Sequence, residues 1–255
     1  MDNNPADIFP TFCGLGVQQQ GTTPLGTSNL HGLGGTCTGG GDCVPGSNTE
    51  YGIATNGDGA QQASFANGQI WFAVSTLVIQ SDSSTMHLGA AYFVVNPYGF
   101  ALTTSGYVTA AGEDMEFPAI AASDGSGSPT TSVLSFTVSG TNMYPSSAYG
   151  TLTTTSGGLI SSNYHVTAVG QAPQDGFSGY AGGGYRPRWG DYGAAIYVPS
   201  APGSSTGTTF FASEYIQYPA CSVSAFTTDP SCGGTRDPFA NWGTSLNSIP
   251  IAPPV

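Results

Sequence analysis

The chain is 255 residues long, with 15 acidic residues against three arginines and no lysine, and its formal charge at pH 7 is −12. Such a surface repels phosphate backbones and anionic membranes, which argues against nucleic acid as a partner, and no apolar run reaches the ~18–20 residues of a membrane-spanning helix. Hydrophobic residues at 39% and aromatics at 11% can build a core and argue against disorder.

Residues 1–60 read as a Gly/Pro-rich loop arm, with Pro5, Pro10, Pro24 and Pro45 and no sustained periodicity; at most they supply part of a sheet. The start, Met1-Asp2-Asn3-Asn4-Pro5, has neither a basic nor an apolar stretch of the secretory type. A signal is therefore expected to have been removed, or the natural beginning to lie elsewhere. Cys37 and Cys43 enclose a short Gly-rich loop, and Cys221 and Cys232 bracket another. Neither spacing is C-x-x-C, so local disulfides Cys37–Cys43 and Cys221–Cys232 in an oxidising, extracellular setting are the expectation. Cys13 is left over: free, paired in another scheme, or bonded to a partner outside the chain.

From about residue 61 the pattern changes to short runs rich in Val, Ile, Thr, Tyr and Phe. Predicted strands are Gln69–Gln80, Leu88–Val95, Ala101–Thr109, Phe117–Ala122, Ser132–Ser139, Ala148–Thr154, His165–Gly170, Tyr192–Val198, Thr208–Tyr215 and Trp242–Ile249. Asn67-Gly68, Asn96-Pro97, Asp124-Gly125 and Ser139-Gly140 punctuate them as turns. No stretch has amphipathic helical spacing with caps, so 61–255 is read as one all-β domain.

The strands fall into three groups, beginning near Ala63, Phe117 and Trp189, each opening on a small-residue strand followed by a turn and a stronger strand. That is the sequence form of propeller blades, whose innermost strands converge on an axis and must be slim. Propellers take about four to eight blades, so three imply an incomplete, β-propeller-like set, the C-terminal part of a larger fold. A β-sandwich with accidental grouping is the alternative.

Two of the three arginines share the heptapeptide Arg186-Pro187-Arg188-Trp189-Gly190-Asp191-Tyr192. In a chain nearly stripped of cations, those that remain mark a place where charge is needed. If the strands after Tyr192 and Thr208 pair as a hairpin, Glu214 falls near the Trp189–Asp191 end. An arginine between two carboxylates then satisfies itself as a charged lock at the start of a blade. The catalytic reading makes Asp191 and Glu214 the paired carboxylates of a glycoside hydrolase, with Arg188 clamping a substrate carboxylate. The ligand-surface reading uses Arg186, Arg188, Trp189, Tyr192 and Tyr215. The lock is the expectation, and Arg186 is the freer arginine.

Arg188-Trp189-Gly190-Asp191-Tyr192-Gly193-Ala194-Ala195, followed by Thr209-Phe210-Phe211-Ala212-Ser213-Glu214-Tyr215, resembles the R-W-G-D-Y-(S/G)-A … A-x-E-Y pattern of a family of secreted bacterial proteins, mostly uncharacterised. The similarity spans roughly residues 61–249 and is most specific in the last third. The resemblance implies a secreted, propeller-like protein, and family members look longer, with further propeller-like sequence before the matching part. It implies no agreed reaction.

Other chemistry is weaker. A sialidase-type propeller sets several arginines on its substrate, more than this chain can spare, and Ser123-Asp124-Gly125-Ser126-Gly127 lacks the aromatic of an Asp-box. His31, His87 and His165 have no ligand spacing. Asp58 and Asp124 are of the type calcium takes, but their expected use is capping turns, and no cofactor is expected. Trp71, Trp189 and Trp242 suit sugar stacking, though wedging between sheets is the commoner use. In strong acid the carboxylates neutralise and only three arginines, three histidines and the amino terminus remain to repel, which implies acid tolerance. The reading is an extracellular, non-catalytic protein binding a glycan, polymer or protein partner, or serving as a surface component. The alternatives are a glycoside hydrolase and a subunit of an extracellular assembly, and an N-terminal half of the same precursor is a further candidate partner.

Overall fold

The computed structural model describes residues 60–79, 86–109, 113–124, 130–140, 143–155, 158–161, 164–171, 193–204, 206–217 and 242–251. They form twelve strands and no helix: β1 (Ala63–Ala66), β2 (Gln69–Ile79), β3 (Met86–Asn96), β4 (Ala101–Val108), β5 (Glu113–Ala122), β6 (Thr131–Gly140), β7 (Met143–Thr155), β8 (Gly158–Ser161), β9 (His165–Ala168), β10 (Ala194–Pro199), β11 (Gly207–Ile216) and β12 (Trp242–Ile251). Short β-branched and aromatic runs broken by turn residues leave the chain no other economical way to satisfy its backbone.

Every strand except β9 pairs antiparallel with a chain neighbour inside one of three sheets: β1-β2-β3-β4, then β5-β6-β7 with β8 and β9 sharing the far edge of β7, then β10-β11-β12. None of the sheets is closed. The fold is therefore all-β, with three successive meanders in an open, incomplete propeller-like arrangement.

The sheets stack face to face in chain order. Trp71, Ala73, Tyr92 and Val94 of the first sheet pack on Ile120, Leu134, Phe136 and Val138 of the second. The opposite face of the second sheet, Ala119, Ala121 and Val133, packs on Ala195, Phe211 and Ile251 of the third. Strands β5 and β6 of the second sheet thus have no solvent face, and after their first residues they are buried throughout. Strands β11 and β12 alternate instead, as expected where one face meets a neighbour and the other does not.

The three innermost strands converge. The Gln62 side-chain amide, just before β1, bonds both backbone groups of Ala195 in β10, accepting from its N–H at 2.8 Å and donating to its carbonyl. Ser64 Oγ donates to the Ile120 carbonyl in β5 at 3.1 Å. Asn67, at φ 52° in the β1–β2 turn, donates its side-chain amide to the Ser123 carbonyl at 3.0 Å and Thr130 Oγ1 at 2.9 Å. Gly193 needs to be glycine, because a Cβ there would stand 2.6 Å from the Phe117 carbonyl oxygen. Small residues at the openings of the groups are explained by this crowding.

Two boundaries differ from the sequence reading by more than two residues. Strand β5 begins at Glu113 rather than Phe117, since Pro118 and the left-handed Phe117 (φ 51°) do not end it. They form a bulge, with the ladder to β6 resuming at Ala119 after Glu116. Strand β7 likewise runs back through Pro145 to Met143. The four-residue β8 was not anticipated.

Candidate functional site

Glu214 and Tyr215 lie near the end of β11, opposite Thr244 and Gly243 of β12, and both are half-buried. The expected hairpin is present, with Ala194 opposite Ala212 and Pro199 opposite Gly207. Arg186, Arg188, Trp189, Asp191 and Tyr192 lie outside the described residues, as do Asp58, His31 and all five cysteines, and with them both expected disulfides.

Around Glu214 the seam between the second and third sheets is polar. Thr137 Oγ1 donates to the Glu214 carbonyl at 3.0 Å. Thr137 is also the ladder partner of Glu116, so one threonine links the strand that carries Glu116 to the Glu214 backbone carbonyl. Glu116 is 0% exposed and accepts from Ser139 Oγ at 3.0 Å. Farther along the seam the Ser147 and Ser213 hydroxyls meet at 2.5 Å, and Ser147 also meets Thr167 Oγ1 at 2.9 Å. Phe117 and Ile216 are buried together beside the half-buried Trp242, closing this end with apolar surface. The bulge aims the chain here: extended backbone through Phe117 and Pro118 would shift the register that sets Glu116 against Thr137.

Sequence reasoning missed Glu116. It sits outside the R-W-G-D-Y motif, in the acidic stretch Glu113-Asp114-Met115-Glu116 that the sequence reading placed before the strand rather than in it.

The other described carboxylates also bridge separate segments. Asp114, 3% exposed, accepts the Leu88 N–H of the first sheet at 2.7 Å. Asp124 accepts the Asn67 N–H at 3.0 Å, so it serves the inner turns. Glu113 accepts the Tyr164 hydroxyl, and burial together with this carboxylate pushes the Tyr164 pKa well above the usual phenol range. No group of three or more His, Cys, Asp or Glu gathers among the described residues.

Aromatic side chains divide sharply. Trp71 is buried between the first two sheets with its indole N–H on the Ala66 carbonyl at 3.3 Å, a wedge rather than a sugar platform. His165 stacks on Tyr149 at 5.1 Å. At the β3–β4 hairpin tip, however, Tyr98 and Phe100 are 83% and 90% exposed. The Asn96 side chain holds that turn by accepting the Tyr98 N–H at 2.9 Å, and Phe100 sits at φ 50°, a left-handed conformation costing about 1–2 kcal/mol for a bulky residue. Asn96-Pro97 had marked a turn in the sequence, but nothing there showed that its aromatics face solvent.

No helix of the described residues is long and apolar enough to cross a membrane. No protein-family model, curated protein or solved structure matches the chain.

Proposed function

We propose that this is an extracellular, non-catalytic β protein of propeller-like build that binds a glycan, polymer or protein partner through exposed aromatic surface. The observation that carries the reading is the location of the carboxylates. A glycoside hydrolase needs two of them across an open cleft, about 5–10 Å apart, with one free to take and return a proton. Glu116 is instead sealed between two sheets, and one Glu214 carboxylate oxygen is shielded from solvent. What the surface offers is Tyr98 and Phe100 on a braced hairpin, flat apolar faces of the kind that stack on sugar rings or fill a partner's pocket. The R-W-G-D-Y motif resemblance implies the same extracellular setting, with the two local disulfides and tolerance of acid as companion expectations.

Affinity electrophoresis of the full chain against a panel of soluble polysaccharides tests the reading, paired with the double variant Tyr98→Ala, Phe100→Ala. Retardation by at least one polysaccharide, weakened at least tenfold in the double variant, is the expected result. Retardation that survives the double substitution removes the aromatic tip from the site. Cleavage of any polysaccharide by the wild type, lost on Glu214→Gln, overturns the non-catalytic reading.

A further inference from the structure

The sequence holds two Asn-Gly pairs, Asn56-Gly57, which lies outside the described residues, and Asn67-Gly68, which turns the chain from β1 into β2. Asn67 and Gly68 sit at φ 52° and 72°, the left-handed pair of a two-residue hairpin, with Ala66 opposite Gln69. An asparagine before glycine carries its own chemistry. Its side-chain carbonyl carbon is one ring closure away from the next backbone nitrogen, and glycine has no Cβ to hinder that approach. Gly68 is exposed, and a Cβ built on it would meet nothing within 4 Å among the described residues.

What restrains the amide comes from the second sheet. Asn67 Nδ2 donates to the Ser123 carbonyl at 3.0 Å and to Thr130 Oγ1 at 2.9 Å, so both of its protons are in use. The Asn67 backbone N–H donates to Asp124 Oδ1 at 3.0 Å. These partners lie 56 to 63 residues farther along the chain. They are within reach only while β1 stays beside β5, where Ser64 also bonds the Ile120 carbonyl. A side chain pinned by two bonds cannot swing its carbonyl carbon onto the Gly68 nitrogen, and one released from them can.

We propose that Asn67 is a deamidation site gated by the seam between the first and second sheets. When the seam opens, the Gly68 nitrogen bonds to Asn67 Cγ and gives up its proton. The Cγ–Nδ2 bond breaks, Nδ2 leaves as ammonia with that proton, and a cyclic succinimide remains. Water then opens the ring at either carbonyl, giving aspartate or isoaspartate, and it is the sole co-reactant. The product does not fit back into the seam. Both amide donors have become carboxylate oxygens; the Thr130 hydroxyl can turn to donate to them, but the Ser123 carbonyl cannot. The new charge also stands beside the Asp124 carboxylate, in a chain with no lysine to offset it. Isoaspartate further adds a backbone atom to a two-residue turn and shifts Ala66 away from Gln69. An opening of the two sheets is thereby recorded covalently and made hard to reverse. The inference is independent of the glycan- or partner-binding reading, since it uses no exposed surface.

Peptide mapping of the full chain held at mildly alkaline pH, with and without denaturing urea, is the test, and Asn56 in urea is the clock for an unrestrained pair. In urea Asn67 is expected to convert about as fast as Asn56, and in the folded chain at least tenfold more slowly. Thr130→Val removes one acceptor and is expected to speed conversion in the folded chain at least threefold, with the rate in urea unchanged. Asn67→Asp, the product itself, is expected to lower the folding equilibrium constant at least tenfold in urea denaturation, or to leave the chain unfolded. Asn67 that stays intact in urea while Asn56 converts overturns the site. Equal rates with and without urea overturn the gating, as does a folded Thr130→Val chain that converts no faster than the wild type. If Thr130→Val does not fold, the wild-type comparison decides alone. An Asn67→Asp chain as stable as the wild type overturns the claim that conversion spoils the seam.

Discussion

The second and third sheets are both antiparallel meanders of similar strands, yet they occupy different physical situations. In the second, β5 and β6 are buried residue after residue, including Ser132, Ser135, Thr137, Ser139 and Glu116. In the third, β11 and β12 alternate between a packed face and one that leaves Phe210 47% exposed. Side-chain chemistry alone does not separate them, since Phe136 is sealed and Phe210 is not. Rank in the stack does: a sheet with neighbours on both faces turns every position into core, and its hydroxyls and carboxylates then need partners. The seam around Glu116, Thr137 and Glu214 is how that need is met, by one hydrogen bond inside the second sheet, from Ser139 to Glu116, and one across to the third, from Thr137 to the Glu214 carbonyl, rather than out to water.

This comparison breaks most visibly under truncation. Phe136→Ala removes a fully buried ring that Tyr164 meets edge-on at 6.1 Å, and is expected to cost about 3–5 kcal/mol. Phe210→Ala, on the outward face of the third sheet, is expected to cost less than about 1 kcal/mol in the isolated chain. Urea denaturation of the two variants measures the gap; equal losses would mean that the faces do not differ.

A smaller effect concerns the rim of the middle sheet, where Tyr164 donates to Glu113. Its pKa is raised in the folded state by burial first and by the carboxylate second. Below pH 10 the phenol is protonated in both states and the stabilisation is fully present. Above pH 10 the unfolded chain ionises while the folded one does not, so stability falls as pH rises toward the folded pKa. Tyr92 and Tyr197 are shifted in the same direction, mainly by burial. Tyr164→Phe is expected to lower stability by about 1 kcal/mol at pH 8 through the lost hydrogen bond, and to flatten the decline between pH 10 and 12. Thermal melts across that range would show a parallel decline if the Tyr164 proton were not involved.

The smallest effect lies farthest from the core. Phe100→Gly relieves a left-handed backbone at an exposed position, and is expected to leave stability unchanged or raise it by about 0.5 kcal/mol. A loss above 1 kcal/mol in the same urea assay would show that the ring packs on something.

Much of the fold was legible because strand periodicity and turn chemistry are local. The ladders from Gln69, Thr131 and Gly207 onward lie where alternation and the Asn-Gly, Asn-Pro and Asp-Gly turns put them. Legibility failed at the start of β5, where a strand read as beginning at Phe117 runs back to Glu113 through a bulge at Phe117-Pro118, and at β8, too short to announce itself. The site was legible in half: Glu214 stood out through its motif, whereas Glu116, about a hundred residues away, gained meaning only through Thr137 of the neighbouring strand.

The sparse charge, the strand-and-turn rhythm, the three groups and their small-residue openings were determined by the sequence itself, because each depends on neighbours a few residues apart. Which sheet lost both faces to the core, which carboxylates were enclosed and which aromatics were left in water was decided by the stacking of the sheets. Burial is a property of what lies above and below a strand, and those neighbours come from 50 to 130 residues away, as the Ser64–Ile120 and Gln62–Ala195 bonds illustrate with separations of 56 and 133 residues.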